Sequence, residues 1–191
     1  MKMLSQLTAL LSLLLLLNAC TSIVDATTNK PIESANDKRS PGTYLDDQRL
    51  EVIVGVNIRK ADPALRQSNI DITSFNGVIL ITGQTRSDSL KSLATDTTSK
   101  LNQVKKIHNE LQIKENLSFA SRTNDTWLVS KVKIALLADK NVKTSKIKTI
   151  IEDGVVYFMG YVTAAEADRI ANIASNIRGI KEVVKVFEYI N

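Results

Sequence analysis

The chain repeats itself: "NGVILITG" (Asn76 to Gly83) returns as "DGVVYFMG" (Asp153 to Gly160), 77 residues later. A repeat of this kind restricts the fold more than any single motif, because the unit built by the first copy must be built again from different residues. In each copy Asn-Gly or Asp-Gly stands between apolar, β-rich runs. A type I′ turn needs positive φ at both central residues, and these are the pairs that accept it most readily. The spacing predicts two hairpins, Ile70 to Phe75 with Val78 to Thr82, and Ile147 to Glu152 with Val155 to Met159. Gly83 and Gly160 are positioned to end the second strand of each hairpin and to permit a close turn into a helix.

The flanks repeat as well. Asp47, Leu50, Val54 and Ile58 match Asp125, Leu128, Val132 and Leu136, a 3,4,4 spacing that lines one face of a helix behind an Asp cap. "EVIVGV" in the first copy is β-branched enough to pass for a strand, but its counterpart "LVSKVKIALL" is helical in period. Downstream, Thr163 and Glu166 form a capping box, and Ala167, Ile170, Ala171, Ala174 and Ile177 carry an apolar stripe that Gly179 is placed to end. Leu90, Leu93, Ala94, Thr97 and Leu101 repeat that stripe in the first copy. Ile107, Asn109, Leu111 and Ile113 then alternate as a strand, as do Val183, Lys185, Phe187 and Tyr189.

Each unit therefore reads αββαβ. The hairpin gives an antiparallel strand pair and the crossover through the second helix gives a parallel one. The expected class is α+β: two tandem domains, each a small mixed three-stranded sheet with two helices on one face. The boundaries read as 45–115 and 124–191, joined by a short connection at 116–123.

The chain opens with a different signal. Lys2 precedes an apolar stretch, Leu4 to Leu17, that is shorter than the roughly 20 residues a bilayer-spanning helix needs, so residues 1–19 read as a signal peptide. Leu17-Asn18-Ala19-Cys20 resembles the box read by bacterial lipoprotein signal peptidase. That box implies cleavage before Cys20, a thioether-linked diacylglycerol on its sulfur and an acyl chain on the amino group that cleavage frees. Cys20 is the only cysteine, so no disulfide competes for it. Several acyl chains, at about 0.8 kcal/mol per buried methylene, hold a protein to a bilayer without spanning it. Residues 20–44, rich in Thr, Ser, Asn, Asp and Pro, then form a flexible tether. Thr21, in a position where Asp retains similar lipoproteins at the inner membrane, points to the periplasmic face of the outer membrane.

Composition and motifs argue against catalysis. His108 is the only histidine and sits on a predicted strand with no cysteine near it and no recognisable acid or nucleophile motif around it. One histidine and one cysteine make no zinc site, and no calcium loop is present. The net charge of +5 suits an anionic surface but is too weak to argue for nucleic acid. No enzyme activity, metal or diffusible cofactor is expected.

What remains is a surface. On the first helix of the second unit, Leu128, Val129, Val132, Ala135 and Leu136 cluster on one side; Trp127, Ser130, Ile134 and Leu137 fall opposite, flanked by Lys131 and Lys133. Residues 124–148 carry a net charge of +4, whereas 149–191 carry −2. An indole with aliphatics and lysines has the composition of an interfacial membrane patch. The alternatives are that Trp127 and Ile134 pack against the first unit, that the patch docks a protein, or that a small ligand binds between the units. The first unit has Arg49 where the second has Trp127, so the two should differ in role, the second binding and the first supporting it or docking partners.

The doubled unit, the Gly-Val-x-x-x-x-Gly stretch after each turn, Asp-Thr-Trp opening the second unit and the lipobox ahead of both resemble the dual BON-domain lipoproteins of the bacterial outer membrane. The resemblance implies binding of anionic phospholipid through that helix, a part in outer-membrane integrity, concentration at division sites and contact with the outer-membrane protein assembly machinery. One departure is visible. Gln103 stands where such domains commonly carry a glycine before the third strand, as Gly179 does in the second unit, so an altered helix ending is expected in the first.

Overall fold

The computed structural model describes residues 40–190. Cys20, its lipobox and most of the tether lie outside them. The first unit runs α1 (Pro41–Ala61), α2 (Pro63–Gln67), β1 (Asn69–Phe75), β2 (Val78–Thr85), α3 (Asp88–Ser99), β3 (Lys106–Asn109) and β4 (Gln112–Ile113). The second runs α4 (Phe119–Ala138), a single 3-10 turn (Thr144–Lys146), β5 (Ile147–Glu152), β6 (Val155–Val162), α5 (Ala164–Ser175) and β7 (Glu182–Tyr189). Both belong to one compact unit.

The hairpins form where the turn chemistry put them. Asn76 and Gly77 have φ of 52° and 79°, Asp153 and Gly154 of 50° and 75°, as type I′ requires. β1 pairs antiparallel with β2, and β5 with β6. β3 and β4 add parallel to β2, and β7 parallel to β6, which makes both sheets mixed. In the first unit the third strand breaks between Asn109 and Gln112, where the Asn109 side chain turns back to accept the Leu111 amide and Leu111 drops into the core. The expected continuous strand is thus two short ones, and the sheet has four strands rather than three.

Three local expectations are corrected. Gly83 and Gly160 do not end their strands; β2 and β6 run through them to Thr85 and Val162. The glycines serve close approach instead, since a Cβ at Gly83 would lie 1.9 Å from the Asn69 carbonyl oxygen, and one at Gly160 2.4 Å from that of Lys146. Neither Asp47 nor Asp125 caps its helix. α1 starts at the Ser40 cap and α4 at the Ser118 cap, whose hydroxyls accept the Thr43 and Ser121 amides. Residues 41–44 of the expected tether and 119–123 of the expected connection are therefore helical. Gly179 is not the helix end, because α5 stops at Ser175.

The two aspartates instead lock helix to hairpin. From inside α1, Asp47 accepts the Ser74 hydroxyl and the Asn76 and Gly77 amides at 2.6, 2.8 and 3.0 Å. From inside α4, Asp125 accepts the Asp153 and Gly154 amides at 2.8 and 2.9 Å. Buried turn amides need acceptors, and a carboxylate supplies the strongest kind. The Gln103 substitution leaves the connection before the third strand unchanged in hydrogen bonding. Leu101 to Thr98, Val104 to Leu101 and Lys105 to Gly77 repeat as Ile177 to Ala174, Ile180 to Ile177 and Lys181 to Gly154. Only the backbone angle differs: Gly179 has φ 107°, while among the described residues the only non-glycines with positive φ are Asn76 and Asp153.

Both faces of the central strands β2 and β6 are covered, but by two different things. Ile79 and Ile81 pack under Leu50, Val54 and Ile58 of α1 and Ala94 of α3. Val156 and Phe158 pack under Leu128, Val132 and Leu136 of α4 and Ile170 of α5. The alternate residues, Phe75, Val78 and Leu80 on one sheet and Val155, Tyr157, Met159 and Val186 on the other, meet in a third core. The domains are therefore joined sheet to sheet, with the helices outermost. Phe75 meets Tyr161 edge to face at 5.2 Å, Lys148 bridges to Glu51 at 2.8 Å, and Gln84 donates to Glu152.

Candidate functional site

With the sheets back to back, α4 carries no domain on its outer side. Its inner face is buried at Asp125, Leu128, Val132 and Leu136, as the 3,4,4 spacing requires. On the outer face Trp127 is 57 % exposed, Ile134 68 % and Leu137 67 %. Ser130 and Lys133 are exposed with them. These residues lie at the spacing of one helical stripe, so the sequence-predicted cluster is brought together. Trp127 and Ile134 do not pack against the first unit. Lys131 is half-buried, its ammonium 3.9 Å from the centroid of the Trp127 ring, a cation–π contact that fixes the indole beside positive charge. Ser130 spends its hydroxyl on the Thr126 carbonyl, 3.4 Å away, and contributes small size more than hydrogen-bonding capacity.

The stripe is longer than expected from sequence. Phe119, 86 % exposed, falls within the first turn of α4 and, at 100° per residue, on the same side as Ser130 and Leu137. From Phe119 to Leu137 the apolar stripe spans about 27 Å at 1.5 Å per residue. The signal that could have found Phe119 is the Ser118 cap. Asp125 competes with it, because an aspartate ahead of the apolar periodic run has the pattern of a cap and places 116–123 outside the helix.

A second feature unseen in the sequence adjoins the stripe. Between the C-terminal half of α4 and the entry to β5 lies a cleft of about 270 Å³ lined by Lys133, Leu136, Leu137, Thr144, Ser145, Ile147 and Thr149. Nothing in local sequence brings 133–137 to 144–149; the return of the chain after Asp139 does. That aspartate caps α4, accepts the Asn141 amide and pairs with Arg169, which hold its carboxyl below the ordinary range.

On the outer face of α1 the corresponding stripe carries Leu45, Val52 and Ile53, with Arg49 exposed where α4 has Trp127. Because the sheets meet back to back, α1 and α4 lie on opposite outer sides of the pair. His108, on β3, is half-buried, and burial followed by the charge of Lys106 lowers its pKa. Among the described residues no His, Cys, Asp and Glu group could hold a metal ion, and no helix is long and apolar enough to cross a membrane.

A double αββαβ architecture of this kind defines a family. The BON domain matches residues 46–115 and again 124–191, and the chain belongs to the BON family. Along nearly its whole length it is similar to outer membrane lipoprotein DolP of Haemophilus influenzae, 34 % identical over 98 % of this chain and 97 % of that protein. The likeness puts it with the outer-membrane lipoproteins of the family. It also resembles the 21 kDa hemolysin of Actinobacillus pleuropneumoniae, 33 % identical over 81 % of this chain and 79 % of that one. Osmotically-inducible protein Y of Escherichia coli is 26 % identical over 74 % of this chain and 72 % of its own length.

Proposed function

We propose that the chain is held on the periplasmic face of the outer membrane by acyl chains on Cys20 and binds anionic phospholipids through the outer face of α4. Trp127, Ile134 and Leu137 enter the boundary between headgroups and acyl chains; Lys131 and Lys133 meet phosphates; Ser130 lets the helix approach closely. The observation that carries this reading is an apolar stripe left exposed on a rigid helix, edged by lysines and facing away from the partner domain. Fully burying a large apolar side chain contributes about 1.5–3 kcal/mol, and each lysine near an anionic surface about 1 kcal/mol. A preformed helix adds no ordering cost, and a tethered site need only reach millimolar affinity to be occupied.

The geometry also supports a division of labour. One flat bilayer cannot engage opposite sides of the same body, so with α4 toward lipid α1 faces the periplasm. Roles in outer-membrane integrity, at division sites and beside the outer-membrane protein assembly machinery are proposed on the family resemblance. The competing reading, an adaptor that docks a protein on the Trp127 stripe, predicts no affinity for bare lipid.

Residues 40–190 contain all three cores, so a chain lacking residues 1–20 keeps every contact described and can be mixed with vesicles. Trp127 is the only tryptophan, and its emission reports directly on the site. Vesicles of phosphatidylcholine with phosphatidylglycerol should shift that emission to the blue, less so in high salt, and phosphatidylcholine alone should not. In cosedimentation Trp127→Glu should abolish binding. Undiminished binding by that variant overturns the assignment.

A further inference from the structure

We propose that the cleft between α4 and residues 144–149 is a subsite for the phosphodiester of a membrane phospholipid, an inference that rests on the lipid-binding reading and assigns it a headgroup contact. Lys133 supplies an ammonium with no ion pair among the described residues. Thr144, Ser145 and Thr149 supply three hydroxyls, none held in a side-chain hydrogen bond among those residues. Thr149 is on the helix-facing side of β5, in line with Ile147 and Ile151, which directs it to the cleft. An ammonium with hydroxyl donors around it is the chemistry of phosphate recognition, and charge-assisted bonds of this type are the strong ones.

Two further observations select a lipid over free phosphate. The rest of the lining is apolar, Leu136, Leu137 and Ile147, and would stay wet around a bare anion; a glycerol backbone and first methylenes cover it. The cleft also opens beside Leu137, at one end of the exposed stripe, so a phosphodiester held there lies at the level where the stripe passes from headgroups to acyl chains. The local field is favourable. Lys140 and Lys143 are exposed nearby, and the neighbouring carboxylate, Asp139, is already taken by Arg169 and the Asn141 amide.

The test uses the chain lacking residues 1–20 and the double variant Ser145→Ala/Thr149→Val, which removes two hydroxyls with little change of shape. Affinity for phosphatidylglycerol-containing vesicles should fall about tenfold, the scale of losing hydrogen bonds to a charged group. Dihexanoyl phosphatidylglycerol, below its micelle concentration, should move the amide resonances of Thr144, Ser145 and Thr149, and inorganic phosphate at equal concentration should not. If the double variant binds vesicles as well as the parent while Trp127→Glu does not bind, the subsite is overturned and the lipid-binding reading stands. If the parent itself ignores anionic vesicles, the lipid-binding reading falls and takes the subsite with it. If inorganic phosphate moves the same amides with equal affinity, the cleft takes free phosphate and the lipid assignment is wrong.

Discussion

Gln84 of the first domain donates its side-chain amide to the carboxylate of Glu152 in the second, 68 positions away, inside the sheet-to-sheet interface. Burial raises the Glu152 carboxyl above its ordinary range, the bond from Gln84 partly offsets that, and the nearby Asp71 and Asp125 add to the rise. A carboxyl with a raised pKa holds its proton more tightly folded than unfolded. Stability should therefore fall as pH climbs from the unfolded value through the folded one, and the loss is complete above it. Glu152→Gln keeps an acceptor for Gln84 and removes the charge. Denaturant midpoints across roughly pH 4 to 8 should show a flatter profile for the variant and greater stability than the parent at the upper end.

Asp125→Ala should cost about 3 kcal/mol of unfolding free energy, because two turn amides lose a charged acceptor and each such bond contributes about 1.5–3 kcal/mol. Asp125→Asn retains one side-chain oxygen and should cost less. The same ranking should hold at Asp47, which also binds Ser74. Urea unfolding of the four variants measures it.

Gly83→Ala places a methyl group where the Asn69 carbonyl already stands, at a φ of 116°. Strand β1 must move away from β2, at a cost of about 2 kcal/mol or more on the scale of overpacking. A fall in melting temperature, with no comparable fall for alanine at the open Gly42, would bear this out.

Phe119→Ser should leave the melting temperature nearly unchanged, since the ring is 86 % exposed, yet weaken cosedimentation with anionic vesicles several-fold. Equal binding with and without the ring would confine the contact surface to the stretch from Trp127 onward.

Replacing residues 1–20 with the cleavable leader of an unlipidated periplasmic protein should move the chain from the membrane fraction to the soluble periplasmic fraction, because the acyl chains on Cys20 are the proposed source of stable anchorage. Retention in the membrane fraction would show that α4 alone suffices.

Much of this protein is legible in its sequence. Two hairpins could be placed to within a few residues because Asn-Gly and Asp-Gly specify their turn locally, and the buried stripe of α4 followed from helical period. The doubled copy resolved "EVIVGV", whose own propensity pointed to a strand. Asp47 and Asp125 were not legible in the same way: an aspartate before an apolar periodic run has the pattern of a cap, and only the hairpin folding back supplies the amides that need its carboxylate. Phe119 joins the stripe only because the helix begins at Ser118, ahead of that aspartate.

The sequence alone determined the repeat, the order of the αββαβ elements apart from α2 and the break between β3 and β4, and the amphipathic outer stripe, all of which depend on contacts within a turn or two. It could not determine what covers the second face of each sheet. Val155 to Met159 are apolar without a break, so both sides of β6 had to be buried, but whether helix, membrane or the other domain lay on the far side was undetermined. Tertiary structure chose the other sheet. That choice leaves Trp127 facing outward, because the apolar surface that joins the domains is supplied by the strands, and α4 is not needed for it.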